Sequence, residues 1–531
     1  MISNDNKKEN SCLIIDEVHE WNINIETLVA YIKYLKDSKK LNMKVILMSA
    51  TIDVSSLRDY FNCPVLSIPG KKYEVKMIEG LPYLKENTIA KESNDGKNIL
   101  IFEPSKSEIE ETIAMIKNSM YIKNKDNIDI IPLHSELTYK DQMKIWYNNG
   151  RNKIIVATNI AQTSITIPYI DIVIDNGKCK TVELDEFGIE CLKLNEISKS
   201  DIIQRKGRAG RTKDGKYYLL SNIGFDKRDE FEKPEIQRLS IDKVVLKLSS
   251  IGIDAEDLNF FHPVDKNSIK ESKQNLKNLG ALDKNYNITS VGKEMNIMPI
   301  SPKYSRMIIE AKRSKDKALI GDISAIVSII EVGSLVNFRA KDKFGLNVNY
   351  NNFNDYLNEN SDLMTELNIY KAILNFKFEN LKESGISIKN FTKIKNLNKK
   401  LNNILHVYVN KNKTSNYDNI LKCVAIGMGN NFFSFIPDTW YNRDNFKNLD
   451  NAKFSLDNKS CLEFYNSDDY YENIVFAFPK TIEYSDMWGI KNNMYLISMA
   501  SKCTKGIINN IFNVVETINE NDVVYYEKDK F

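Results

Sequence analysis

Gln204-Arg205-Lys206-Gly207-Arg208-Ala209-Gly210-Arg211 is the stretch on which the reading of this chain turns. Three arginines at this spacing, relieved by small residues, form a cluster suited to grip a phosphoryl group, because each guanidinium offers a planar fork of donors to phosphate oxygens. Toward the N-terminus, two apolar runs end in polar groups that suit the same chemistry. Cys12-Leu13-Ile14-Ile15 leads into Asp16-Glu17-Val18-His19, and Val45-Ile46-Leu47-Met48 leads into Ser49-Ala50-Thr51. Short apolar runs of this kind read as buried strands, and open α/β sheets bind their ligands beyond the carboxyl ends of the strands.

The acidic pair, Ser-Ala-Thr and the arginine cluster, in that order, resemble the DEAH/DExH-box helicases of superfamily 2, a family of ATP-driven translocases on RNA and sometimes DNA. The resemblance implies roles for particular residues. Asp16 and Glu17 would be the residues at the Mg²⁺, Asp16 helping to hold it and Glu17 also orienting and deprotonating the attacking water, and His19 would link that site to the opposing lobe. Ser49, Ala50 and Thr51 would couple hydrolysis to lobe movement. Arg208 and Arg211 match the arginine fingers that stabilise transition-state charge, Gln204 matches the glutamine near the γ-phosphate or water, and Arg205 fits a structural ion pair. Ala157 to Ile167 is similar to the segment that holds the nucleic-acid backbone. Its short polar side chains position phosphates without reading sequence, so Thr158, Asn159, Thr163 and Ser164 are expected contacts, with Ser105 from the earlier Phe102-Glu103-Pro104-Ser105 loop. Gln162 stands where the family usually has Glu, which replaces a salt bridge there by a neutral hydrogen bond.

Hydrolysis of ATP in this family also uses a glycine-rich loop whose amides cradle the phosphates, followed by Lys and Ser or Thr. No Gly-Lys pair of the sequence is followed by Ser or Thr: Gly70-Lys71-Lys72, Gly177-Lys178-Cys179 and Gly215-Lys216-Tyr217 are typical failures. The expectation is therefore a chain that begins inside its first lobe, through a mis-assigned start or interrupted gene. A split helicase completed by a separate N-terminal fragment, and a degenerate RNA- or partner-binding module, are the alternatives. ATP and Mg²⁺ are the expected cofactors; single-stranded RNA or DNA, a separate N-terminal fragment and a helicase activator protein are the expected partners.

With 531 residues, 42% of them hydrophobic, the chain can bury several cores. Its 74 basic and 71 acidic residues leave a net charge of +3, so any surface for a polyanion has to be local. Seven scattered cysteines without a Cys-x-x-Cys pair argue against a disulfide framework or zinc site and for a reducing compartment. Cytoplasm is the expected location, host cytoplasm or virion for a viral origin, with no membrane role: the start lacks an apolar signal core, and the most apolar stretch, Leu319 to Val336, contains Asp322 and Glu331.

The expected fold class is α/β with appended helical and β domains. A partial first RecA-like lobe covers 1–84, and Lys85 to Lys97 reads as a polar linker. A complete second RecA-like lobe covers 85–226, where strands alternating with helices imply a parallel sheet. Within it, Lys180 to Leu184 and Gly188 to Leu194 flank a hairpin turn at Asp185-Glu186-Phe187 that needs no support from a core. The family pattern then implies a winged helix over 227–302, a helical ratchet-like domain over 303–410 and an OB-like β domain over 411–531.

Overall fold

Strands β1 (Cys12–Ile15) and β2 (Lys44–Leu47) pair in parallel, Cys12 opposite Lys44 and Ile15 opposite Leu47. Helix α1 (Ile23–Asp37) connects them, and its start is fixed by Asn22, whose side chain accepts from the amides of Asn24 and Ile25. Helix α2 (Val54–Phe61) follows β2. Ile15, Val18, Val29, Ile32 and Phe61 form the core of this small lobe, with Phe261 packed against it. This computed structural model describes residues 11–49, 54–68, 73–123, 125–162, 165–338, 340–341, 345–375, 381, 384–428, 431–436, 445–448, 452–464, 474–485 and 491–503. Ala50, Thr51, Thr163 and Ser164 lie outside the described residues, as does the charged C-terminal tail.

The chain divides into two compact units. The first comprises Met1–Glu183, Leu192–Leu239 and Asn259–Pro263; the second comprises Leu184–Cys191, Ser240–Leu258 and Val264–Phe531.

The larger sheet of the first unit begins with β3 (Val75–Gly80). After helix α3 (Lys85–Asn94) come β4 (Ile99–Phe102), α4 (Lys106–Asn118), β5 (Ile128–Leu133), the single turn α5 (Tyr139–Gln142), β6 (Asn152–Ala157) and β7 (Ile172–Asp175). A hairpin of β8 (Lys178–Leu184) and β9 (Glu190–Glu196), outside this sheet, and helix α6 (Lys199–Lys206) lead to its last strand, β10 (Gly215–Leu220). The sheet order is β3-β10-β7-β4-β6-β5, and every pairing in it is parallel. Leu100, Phe102, Ile155 and Val173 enter one hydrophobic cluster, while Ile99, Ile101, Ile154, Val156, Ile172 and Ile174 enter another. That alternation places one cluster on each face, as a parallel sheet covered by helices requires.

Two expectations need correction here. The stretch read as a linker from Lys85 to Lys97 is mostly helix: Ile89 and Ala90 are buried, and buried Glu92 accepts from Lys216 Nζ at 2.7 Å and Tyr218 Oη at 2.5 Å. One apolar pair and one buried acid in a polar decapeptide leave almost no periodic signal. The boundary between lobes also falls earlier than 84, because β3 pairs with β10 over Val75–Gly80 and so belongs to the second sheet.

In the second unit, α7 (Asp242–Ser250), α8 (Lys266–Asn278) and α9 (Ser290–Ile297) form the winged-helix region. Between α8 and α9, Leu282 and Ile288 form one antiparallel bridge. Helices α10 (Pro302–Arg313), α11 (Lys317–Val332), α12 (Asp362–Asn375), α13 (Ile388–Leu405) and α14 (Tyr417–Met428) follow. Helix α14 corrects the boundary set at 411, since a Cβ at its Gly427 would collide with Met307 and the Lys303 carbonyl of α10. The β domain proper starts at β11 (Phe432–Ile436) and continues with β12 (Asn445–Lys447), β13 (Lys453–Leu456), β14 (Ile474–Ser485) and β15 (Lys491–Lys502). Pairings β11–β12, β12–β13, β13–β15, β15–β14 and β14–β11 close these five strands into a barrel with an OB-like order. Phe433, Phe446, Phe454, Val475 and Ile497 fill it. The hairpin tip belongs to this unit and is not free of a core. Ile189 packs on the barrel cluster, Phe187 lies edge-on to Tyr495 with ring centroids 5.1 Å apart, and Asp185 and Glu186 accept from Thr481 and Tyr495 at 2.5 and 2.6 Å. No helix among the described residues is long and apolar enough to cross a membrane.

Candidate functional site

Asp16 and Glu17 leave the carboxyl end of β1, and both are exposed. The turn they make is tight. Glu17 adopts a left-handed conformation at φ 53°, and its amide donates to Asp16 Oδ1 at 2.8 Å. Val18 is fully buried, and its amide donates to the Met48 carbonyl at 3.1 Å. That bond ties the acidic turn to the end of β2, where Ser49 begins. His19 completes the tie: Nδ1 lies 3.1 Å from Ser49 Oγ and Nε2 lies 3.4 Å from Glu17 Oε2. Of the expected coupling residues, Ser49 thus contacts the acidic turn through His19.

The arginine cluster is built on α6. Ser198 and Asp201 cap the helix reciprocally, and Arg205 one turn later is driven into the lobe. Its guanidinium donates to Asp175 Oδ1 at 2.9 Å, with the two side chains 2% and 0% exposed. Nε donates to Gln162 Oε1 at 2.9 Å, and the Phe102 ring lies 4.6 Å away. Tyr217 Oη donates to the other Asp175 oxygen at 2.7 Å. Burial opposes charge on Arg205, yet Asp175 together with Tyr217, Cys179 and Asp201 outweighs it and holds the guanidinium protonated more firmly than usual. The expected structural ion pair is present, and the uncharged Gln162 side chain accepts from Arg205 where a carboxylate would make a salt bridge. The Gln162 amide also donates to Asp201 Oδ1 at 2.6 Å and Gln204 Oε1 at 3.1 Å, which links the segment after β6 to α6.

Arg208 is buried and donates to the Ile165 carbonyl at 2.7 Å and to the Gln162 carbonyl. Partial burial and the like charge of Arg211 pull its proton affinity down, to about 10, while Glu17 pushes the other way. Arg208 therefore stays charged at neutral pH and lies within electrostatic reach of the acidic turn. Arg211 is exposed, with no hydrogen-bond or ion-pair partner among the described residues. Gly210 separates the two because only glycine fits: its φ is +43°, and a Cβ would lie 2.5 Å from Val75 Cγ2 and 3.1 Å from the Tyr73 carbonyl.

Thr158 follows the carboxyl end of β6, its amide donating to the Leu133 carbonyl at 3.1 Å, and Asn159 beside it is exposed. Ser105 precedes α4, but its hydroxyl is engaged locally with Ser107 Oγ at 2.8 Å and with the Glu108 carboxylate. Among the described residues no three His, Cys, Asp or Glu side chains gather into a metal-binding group. Mg²⁺ needs no such cage, since it keeps several waters and is commonly held by one or two carboxylates together with substrate phosphates; exposed Asp16 at a strand end fits that use.

Sequence reasoning missed three supports. Asp175 follows the apolar strand β7 directly, a position that marks candidate site residues. Asp201 was legible as the third residue of a capping box. The segment Asn259–Pro263 carried no periodic signal, yet it braces the small lobe: Phe261 stacks on Trp21 at 4.6 Å, and buried Glu26 accepts from the His262 amide and ring at 3.0 and 2.7 Å. Beside α6, a cavity of about 320 Å³ has Asp201, Arg228, Glu232 and Arg238 in its wall. Burial, with Asp201 and Glu235 nearby, pushes the Glu232 carboxyl up to about 6 against the pull of Arg238.

The first unit thus carries a parallel sheet with an arginine cluster and an acidic turn whose Glu17 acts electrostatically on Arg208, and the second unit carries the barrel. Parts of the chain match known proteins. The helicase conserved C-terminal domain matches residues 79–213, and the winged helix of the helicase associated domain (HA2) matches 274–300. The chain is 32% identical over 445 residues to the ATP-dependent RNA helicase HrpA of Borreliella burgdorferi, covering 79% of this chain and 53% of that one. It is 30% identical over 439 residues to human ATP-dependent RNA helicase DHX33, covering 76% and 60%. With the ATP-dependent RNA helicase HrpA homolog of Haemophilus influenzae it shares 29% identity over 388 residues, 68% of this chain and 29% of that one. The chain belongs to the DEAH/DExH-box helicases, and it spans less than two thirds of the length of each of these relatives.

Proposed function

We propose that this chain works as an ATP-dependent RNA helicase or translocase. The observation that carries the reading is the acidic turn at the end of β1, where His19 lies 3.4 Å from Glu17 and 3.1 Å from Ser49, in the same unit as the arginine cluster that follows α6. Phosphoryl transfer is mostly positioning and charge stabilisation, and these two groups supply complementary parts of it. Glu17 would orient the attacking water and take its proton, with His19 holding the carboxylate in place. Asp16 would hold Mg²⁺, which would neutralise charge on the phosphates. Arg208 and Arg211 would face the γ-phosphate. Gln204, tied through Gln162 to the segment of Thr158 and Asn159, would pass the state of the nucleotide site to the nucleic-acid contacts.

The relatives named as ATP-dependent RNA helicases favour RNA as the strand and ATP as the nucleotide. Thr158, Asn159, Thr163 and Ser164 would hold its backbone, with Ser105 at the margin because its hydroxyl is already engaged. The 531 residues contain no Gly-x-x-x-x-Gly-Lys-Ser/Thr loop, so the phosphate cradle has to come from a further segment, in cis or as a partner; an activator protein would be a second partner. RNA binding is the first test. Single-stranded RNA should bind without base preference and with an affinity that falls as salt rises, whereas preference for double-stranded DNA in a filter-binding comparison contradicts the reading.

A further inference from the structure

His19 joins Glu17 to Ser49, and two residues beyond it the backbone turns sharply a second time. Trp21 has φ 39°, as Glu17 has φ 53°. Both lie in the left-handed region that residues with a side chain rarely adopt, and which persists only where the surroundings hold it. Between them Val18–Glu20 forms one tight turn, closed by the Glu20 amide on the Glu17 carbonyl at 3.0 Å and the Trp21 amide on the Val18 carbonyl at 3.1 Å. No side chain caps the turn at Glu17. Buried Val18 pins its near end through the Met48 carbonyl, and the Trp21 ring is what can pin its far end.

That ring is held by a segment remote in sequence. Phe261 stacks on it with centroids 4.6 Å and planes 9° apart, and the His262 ring meets it edge-on at 4.7 Å. The strap that carries both, Asn259–Pro263, belongs to the first unit, although the chain on either side of it belongs to the second. Tyr60 Oη of α2 donates to the Asn259 carbonyl at 2.5 Å, the Tyr60 ring lies edge-on to Phe261 at 5.4 Å, and Gln237 Nε2 donates to the Pro263 carbonyl at 2.8 Å. Glu26 of α1 makes the firmest tie. It is fully buried, accepts from the His262 amide at 3.0 Å and lies 2.7 Å from Nδ1 of the same residue. Releasing the strap would strip both bonds from a buried carboxylate, which is costly, so Glu26 keeps Phe261 seated on Trp21.

We propose that Phe261 and His262 are positioning residues for the acidic turn: by clamping Trp21 they fix the far end of the backbone that presents Glu17 and His19. The inference rests on the proposed roles of Glu17 and His19 in ATP hydrolysis for its chemical meaning. A group that orients water has to be held closely, since a misplacement of about 1 Å can cost on the order of a hundredfold in rate. Phe261 also packs on the core of the small lobe, so a part in stability alone has to be separated from positioning.

The test compares Phe261→Ala, which removes the stack and leaves Glu26 its partners, with Phe261→Tyr, which keeps the ring. Hydrogen exchange of the full chain is followed in peptides covering the turn, 15–21, and the later part of α1, 29–37, with thermal melting as the check on folding. Phe261→Ala should speed exchange in the turn by about three- to tenfold, the worth of one aromatic pair, and leave α1 unchanged; Phe261→Tyr should match the parent. In the chain joined to a segment bearing a phosphate loop, Phe261→Ala should lower kcat for ATP by about tenfold or more while KM stays within about twofold, because the turn acts on the water and does not grip the nucleotide. Phe261→Tyr should restore kcat. Should Phe261→Ala fail to fold, Phe261→Leu, which keeps apolar bulk without the ring, takes its place with the same outcomes. Equal loosening of turn and α1, an unchanged turn, or a loosened turn with the parent's kcat each refutes the positioning role. A loop-bearing parent without turnover refutes the hydrolytic reading of Glu17 instead, and exchange then still decides whether the strap fixes the turn.

Discussion

The two lobes of the first unit carry complementary halves of one proposed site on very different foundations. In the second lobe, β4 is buried along its whole length and helices cover a six-stranded sheet. In the first, the acidic turn hangs from two strands, and Ile14, Ile46 and Met48 are 56%, 46% and 41% exposed. An arginine cluster anchored in a full core can be placed accurately at little dynamic cost. An acidic turn on two strands depends instead on a few specific ties, Val18 to Met48 and His19 to Ser49 among them. Local stability follows buried apolar contact, so the amides of β1 and β2 should exchange with solvent faster than those of β4, β6 and β7. Equal protection, measured by native-state hydrogen exchange, would erase the distinction between the lobes.

Substitutions should sharpen the contrast. The largest expected effect on stability is at Arg205. Arg205→Ala strips a buried partner from Asp175, and breaking such a pair typically costs about 3–5 kcal/mol; urea unfolding of the second lobe should show it. Glu17→Gln, at an exposed position, should leave unfolding unchanged within error. A loss for Glu17→Gln comparable to that for Arg205→Ala would mean that the acidic turn supports the fold.

Gly210→Ala should come next, at about 1–3 kcal/mol, because its positive φ and the nearness of Val75 leave no room for a methyl group. The same change should move Arg211 relative to Arg208, so nucleotide-dependent activity should fall by more than the stability loss explains. A fully stable variant would show that β3 can shift away.

The smallest expected effect is at Glu232, and it has a pH signature. With the folded carboxyl near 6, above the ordinary 4.5, the folded state binds more protons than the unfolded state between those values. Stability contributed by this group is present below pH 4.5 and is lost as pH rises through 6. Glu232→Gln should therefore be slightly stabilising at pH 7.5 and nearly neutral at pH 4.5, the gain limited by the 45% exposure of the side chain and the loss of its 3.2 Å pair with Arg238. A variant less stable at pH 7.5 than at pH 4.5, relative to the parent, would reverse the sign.

What the sequence revealed tracks how local each signal was. Asp16, Glu17, Ser49 and Thr158 after strand ends and the alternation of β4 to β7 are contiguous patterns, and among the described residues they are where the sequence implied; the capping box of α6 is equally contiguous but was missed. Arg205 could be assigned to an ion pair, but its partner Asp175 lies 30 residues away, and pairing at that separation leaves no pattern in one chain. Helix α3 stayed hidden because its buried acid reads as polar, whereas α14 was grouped with the β runs that follow it although Ile420, Leu421, Val424 and Ala425 give it a buried helical side. The hairpin tip was legible as a turn, yet its anchoring through Phe187 and Asp185 depends on barrel residues some 300 positions later.

The central claim is that Glu17 and Arg208 face each other as the two sides of one ATP-hydrolysing site. The measurement that tests it most directly is RNA-stimulated ATP turnover of the chain alone and of the chain joined to a segment bearing a phosphate loop. Negligible turnover is expected from the chain alone. Turnover should appear with the added segment and be lost again with either Glu17→Gln or Arg208→Ala, neither of which should unfold the protein. Undiminished turnover in both variants, or ordinary helicase turnover by the chain alone, would contradict the account.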